Sequence, residues 1–153
     1  VKMYLNIQQI RFEGSFEVIM DIDESIMKYK TIKLILQPVI ENVFIHGFSN
    51  EFCSLERKGI IKITGKAEEA QVKFTIEDNG KGLEKSKLIE IKKVLSRSPY
   101  ELRNSRTIGI INVNERIKLY YGQNFGVEID SVHQVGTRVT ITFPVIKEDH
   151  GHA

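Results

Sequence analysis

The apolar residues of this chain keep changing period, and that succession limits the possible folds more than any single motif. Tyr4, Leu5, Ile7 and Ile10 recur at helical spacing, and residues 3–12 read as a helix. Phe16, Val18, Met20 and Ile22 then alternate as in a strand. The helical period returns in "LQPVIENVFIHGF", residues 36–48, followed by strands over 59–66 and 70–78 joined by a short polar connection. Leu88, Ile91, Val94 and Leu95 place a helix within 84–96, whereas 97–106, "RSPYELRNSR", is polar, basic and aperiodic, as expected of a mobile loop. "IGIINVNERIKLYYG" turns Ile110, Val113, Ile117 and Tyr121 inward and ends at Gly122, and strands at 125–131 and 136–143 close as a hairpin-like pair. A two-layer α+β sandwich is expected, with helices on one face of a mixed sheet.

Composition narrows the function classes. The chain has 153 residues, 41% of them hydrophobic and 27% charged, which suits a single core. Its 22 basic and 20 acidic residues are spread along the chain, so no nucleic-acid footprint stands out. Cys53 has no intrachain partner, and a reducing cytosolic setting is the simplest reading; Phe52 and Ser54 beside it offer no activation as a nucleophile. No apolar run reaches the roughly 18 residues that span a bilayer, and the start has no signal-peptide shape. A beginning at Val1 that passes at once into helical period is expected of a piece cut from a longer chain, and "KEDHGHA" is expected to be a polar tail.

Within 36–48, Leu36, Val39, Ile40, Val43 and Gly47 gather on one side, Glu41 falls on one shoulder, and Asn42 and His46 stack one turn apart on the other. Thr31 can cap this helix, Gly47 can end it, and Pro38 inside it should kink it or free a carbonyl. A polar edge on a buried helix is the bland account. Against it stands an Asn, able to offer an amide oxygen to a hard cation such as Mg²⁺, beside a Glu able to take a proton. Ile45 points off the packed stripe and calls for a cover, from a ligand or another element.

Val72, Phe74 and Ile76 alternate with polar positions, so Asp78 continues the apolar face and brings a carboxylate under the helices. Asp78-Asn79-Gly80 also suits a tight turn, but a hairpin needs a strand straight afterwards, and here Lys81-Gly82-Leu83 leads to a helix. Gly109 stands where a loop enters a helix, whose free amides suit an anion, although an ordinary junction looks the same. "VGTRVTITFP" reads first as a strand with Val139, Ile141 and Phe143 inward. Arg97, Arg103 and Arg106 could reach phosphates, though a solvated charge run is the plainer reading of each.

In order and spacing these stretches resemble the catalytic, ATP-binding domain of sensor histidine kinases, within the wider family shared with gyrase, the Hsp90 chaperones and MutL. "LQPVIENVFIHG" resembles the N box, "DNGKG" and "TIGIINVNERIKLYYG" the two glycine boxes, and "GTRVTITFP" the closing strand, over roughly residues 31–143. "YLNIQQIRF" is similar to the leading segment of the LytS/YesM-like subgroup. The resemblance implies that Asn42 ligates Mg²⁺ on the ATP phosphates and that Glu41 is the general base or orienting group. It implies that His46 lies along the nucleotide and that Asp78 accepts from the adenine amino group. Gly80 and Gly82 would let backbone approach the base and ribose, and Thr107, Gly109, Ile110 and the amides after them would hold phosphates. Residues 84–106 would be the ATP lid, and Thr137 would help close the adenine pocket. The chain departs from the subgroup at Thr107-Ile108-Gly109, where Gly-x-Gly is usual, so a stiffer or differently shaped phosphate loop is expected. It departs again at Ile45, where a Lys often stands.

The division implied is a connecting helix over 1–12, the kinase domain over 13–146 and the tail over 147–153. The phosphate-accepting histidine would lie on an upstream segment, since none of His46, His133, His150 or His152 has that context. The partners implied are that histidine helix, a response regulator and a second copy in a homodimer, with no nucleic acid; the setting implied is a cytoplasmic domain of a membrane-anchored protein. Two other functions fit the same residues: a degenerate nucleotide-binding or docking module, or an ATPase of the gyrase/MutL type.

Overall fold

The computed structural model describes residues 1–12, 15–48, 58–97 and 109–146. Strands β1 (Phe16–Ile22), β2 (Gly59–Glu68), β3 (Gln71–Asp78), β4 (Gly126–Val132) and β5 (Gly136–Pro144) form one five-stranded sheet in the order β1-β2-β3-β5-β4. β1 runs parallel to β2, and every other pair is antiparallel. Helices α1 (Lys2–Arg11), α2 (Gln37–Asn42), α3 (Lys85–Leu95) and α4 (Gly109–Tyr121) complete the expected two-layer α+β sandwich, with a short 3-10 turn at Glu24–Lys28.

Alternation decides which side of the sheet is covered. Ile61, Ile63, Val72, Ile76, Ile129, Val139 and Ile141 are buried against Ile40, Ile91, Ile110 and Ile117 of the helices. Lys62, Lys66, Glu128, Asp130 and Arg138 occupy the intervening positions and are exposed. Burying one face and solvating the other is the solution open to an antiparallel sheet with polar alternate residues. Asn114, although polar, is buried among the apolar residues. Its Nδ2 donates to the Leu95 carbonyl at 3.0 Å and its Oδ1 accepts from the Val127 amide at 2.9 Å, tying the end of α3 and the start of β4 to α4.

The 36–48 segment departs from the expected single helix. Thr31 does not cap it, because Leu34 takes a left-handed φ of 62°, which interrupts any helical path before Gln37. Pro38 therefore sits in the first turn, where its missing amide is not needed, and causes no kink. The irregularity comes one turn later: Val43–Gly47 is a π turn, closed by the Phe48 amide donating to the Val43 carbonyl at 2.8 Å. Gly47 ends it as expected. Ile45 has no cover among the described residues and is 67% exposed.

Candidate functional site

Asp78 is the last residue of β3 and shares a face with buried Ile76. Its neighbours do not form a hairpin turn. The Asn79 side chain reaches back to β2, accepting from the Ile60 amide at 2.7 Å and donating to the Lys58 carbonyl at 3.0 Å. The Gly80 amide donates to Asp78 Oδ1 at 2.8 Å, and the Lys81 amide donates to the Gly47 carbonyl at 3.1 Å, which joins the end of β3 to the π turn. A Cβ on Gly80 would lie 2.7 Å from the Gly47 backbone, so only glycine lets the two segments meet. Gly82, at φ +61°, likewise passes against the Val132 carbonyl.

Between these elements lies a cavity of about 220 Å³. Val39, Asn42, Val43, His46 and Gly47 form one wall, Asp78, Gly82 and Leu83 another, and Lys87 and Ile91 of α3, Ile110 of α4, and Ile129, Thr137 and Val139 of the sheet complete it. The walls are chiefly aliphatic, with a few convergent polar groups, as ligand sites generally are. Burial pushes the Asp78 carboxyl up to about 6, against hydrogen bonds from the Gly80 and Thr137 backbone that pull it down. At pH 7 it is mostly ionised and can only accept. Desolvation, then the charge of Lys81, lowers the His46 imidazole below its usual range, leaving a neutral ring at the rim.

Asn42 Nδ2 is buried without a hydrogen-bond partner. It lies 3.9 Å from where a Cβ on Gly109 would stand, beside the opening residue of α4. A buried amide left unsatisfied next to a helix N-terminus is a group that a ligand would complete. Glu41, the adjacent residue, does not line the cavity; its Oε1 accepts from Gln37 Nε2 at 2.9 Å on the outer edge of α2.

Of the residues singled out above, Asn42, His46, Asp78, Gly82, Ile110 and Thr137 thus share one cavity, while Gly80 adjoins Gly47 and Asp78 and Gly109 adjoins Pro38 and Asn42 without lining it. Thr107, Arg103, Arg106 and most of the 97–106 loop lie outside the described residues, as do Cys53 and the tail. Sequence reasoning missed Leu83, Lys87 and Ile129. Leu83 had a signal in following Gly82 directly; Lys87 had none, being one of several lysines on α3. Among the described residues no group of three or more His, Cys, Asp or Glu side chains could hold a metal unaided.

Residues 27–147 match the family described as histidine kinase-, DNA gyrase B- and HSP90-like ATPase. The chain is 34% identical over 148 residues to the sensor histidine kinase YesM of Bacillus subtilis, a match covering 97% of this chain and 23% of that protein. It is 27% identical over 154 residues to the sensor protein LytS of Bacillus subtilis, covering 98% of this chain and 24% of that one. The chain therefore spans about a quarter of the length of these curated relatives. A nucleotide-free catalytic domain of the histidine kinase ThkA superposes with a TM-score of 0.62 at 14% identity, covering 96% of this chain and 91% of that one, a likeness of fold.

Proposed function

We propose that this chain, which belongs to the family of histidine kinase-, DNA gyrase B- and HSP90-like ATPases, is the ATP-binding catalytic domain of a sensor histidine kinase. In this reading it transfers the γ-phosphoryl group of ATP to a histidine on a segment outside residues 1–153. The observation that carries the reading is that a sheet-borne carboxylate, Asp78, and an unsatisfied amide, Asn42, face one aliphatic cavity.

Each residue then has a task that its surroundings suit. Asp78 accepts from the adenine amino group, and Val43, Ile91, Ile129 and Val139 enclose the purine. The opening amides of α4 at Gly109 and Ile110, which lack acceptors within the helix, take phosphate oxygens, and the same task is assigned to Thr107, which lies outside the described residues. Asn42 stands beside them, and a half-turn of its amide presents oxygen to a cation in place of nitrogen. Mg²⁺, when bound, would supply charge neutralisation, and a site with one amide ligand suits it because phosphate oxygens and retained waters would complete its shell. Glu41 on the outer edge orients the incoming histidine or takes its proton. Neutral His46 lies along the nucleotide without adding charge. Positioning and electrostatics of this kind are most of what phosphoryl transfer asks of a protein.

The proposal extends to residues 1–12 as the connection to the upstream histidine helix and to 84–106 as the lid. It includes a response regulator as the next phosphoryl acceptor, a homodimer in the full-length protein, and a cytoplasmic position in a membrane-anchored parent. No helix among the described residues is long and apolar enough to cross a membrane.

Calorimetric titration with a non-hydrolysable ATP analogue, with and without Mg²⁺, tests the reading. Binding strengthened by Mg²⁺ is expected, with Asp78→Asn weakening it by on the order of a hundredfold. Unchanged affinity in that variant removes the assignment, and substantial ATP turnover by the chain alone would favour the gyrase/MutL type instead.

A further inference from the structure

Behind Thr137, outside the cavity, Ser131 of β4 makes three hydrogen-bond contacts. Its Oγ accepts from the Leu83 amide at 2.9 Å, donates to the Gly136 carbonyl at 2.8 Å, and lies 3.0 Å from Thr137 Oγ1. A serine hydroxyl has one proton and two lone pairs. The Gly136 carbonyl can only accept, so it takes the Ser131 proton; the contact with Thr137 then requires the threonine to be the donor. Both lone pairs of Ser131 are thereby filled, by Leu83 N–H and Thr137 O–H. Thr137 has spent its only side-chain proton on Ser131 and offers lone pairs alone to the cavity it lines with Asp78.

We infer that Ser131 is a positioning residue for base selection: by holding the Thr137 hydroxyl as an acceptor, it makes that end of the purine subsite favour a 6-amino over a 6-oxo group. This deepens the nucleotide reading above and rests on it. A 6-oxo purine would set its carbonyl oxygen against the Asp78 carboxylate and the Thr137 lone pairs, where a 6-amino group donates. Sites that pair a polar substrate group reject the analogue lacking it more strongly than apolar pockets reject a change of size. With Ser131 removed, the Thr137 hydroxyl is free to rotate and can donate to a 6-oxo group.

The test compares ADP with IDP, its 6-oxo counterpart, by calorimetry at pH 7.5 on the whole chain, for the wild type, S131A, T137V and the double variant. The wild type is expected to prefer ADP by on the order of a hundredfold. S131A should cut that preference about tenfold, the effect of one hydrogen bond, and should change nothing further in the T137V background. A merely structural role for Ser131, through the Leu83 amide, would weaken both nucleotides alike and leave their ratio in place, which overturns the inference. If S131A does not fold by circular dichroism, T137V alone decides, and an undiminished preference in it overturns the inference. Wild-type chain that binds neither nucleotide overturns the nucleotide reading itself, a result distinct from binding with an unaltered ratio.

Discussion

The same segment, Gln37–Gly47, separates two regions that are packed in opposite ways. On its outer side, Phe44 is the hub of an aromatic cluster, with ring centroids 4.9 Å from Phe16, 5.6 Å from Phe12, 5.9 Å from Phe48 and 6.0 Å from Tyr4. On its inner side, toward β3, β5 and β4, lies the cavity, and no Phe or Tyr ring of the described residues lines it. Interiors are close-packed, and an open volume costs contacts that its lining would otherwise make. The filled region therefore supports the hollow one: rings fix the segment from outside while Asn42, His46 and Gly47 keep their places around empty space.

The largest test of that division is Phe44→Ala. Truncating a buried ring should cost about 3–5 kcal/mol of stability, read from urea denaturation. A loss below about 1 kcal/mol would mean that the cluster does not hold the segment. Asp78→Asn tests the other side and should act in the opposite direction. The folded carboxyl sits at about 6 against an ordinary 3.8. Between those values the folded state keeps a proton that the unfolded state has released, so this group's contribution falls as pH rises through the window and the full penalty is present at pH 7. Removing the charge should raise stability there by up to about 3 kcal/mol, with no gain near pH 3, while nucleotide affinity is lost. The smallest effect is again electrostatic. Protonated Asp78 can donate, so the preference for ADP over IDP should shrink by about tenfold between pH 7.5 and pH 5, the ligands' phosphate titrations cancelling in the ratio. A preference independent of pH would place the base away from Asp78.

Local periodicity carries local structure, and this chain shows how far that goes. The alternation in β3 placed Asp78 on the covered face, and the 3.6-residue spacing of Ile110, Val113 and Ile117 set the inner face of α4, because each rests on which way neighbouring side chains point. Nothing periodic marks that β1 runs parallel to β2, or that β5 rather than β4 lies beside β3; both follow from long-range pairing. The π turn was invisible for a related reason. Val39, Val43 and Gly47 fit a regular helix equally well, and the extra residue shows only in the bond from Phe48 to Val43. Gly80 was legible as a special position, and the structure adds a constraint from its own chain that no local pattern marks: a Cβ there would meet the Gly47 backbone. Ser131 left no trace, since a half-buried serine in a strand looks ordinary until its three partners are known.

The parallel pairing of β1 has a kinetic consequence. The β2–β3 and β4–β5 ladders join segments that are adjacent in the chain, whereas Phe16 meets Gly59 only after the whole intervening crossover has been closed. Local hairpins form early and distant strand pairs late, so the crossover that roofs the site docks near the end of folding. A ligand bound beneath it stabilises contacts absent from the rate-limiting barrier. Such a ligand slows the escape from the native state and leaves the speed of reaching it almost unaltered.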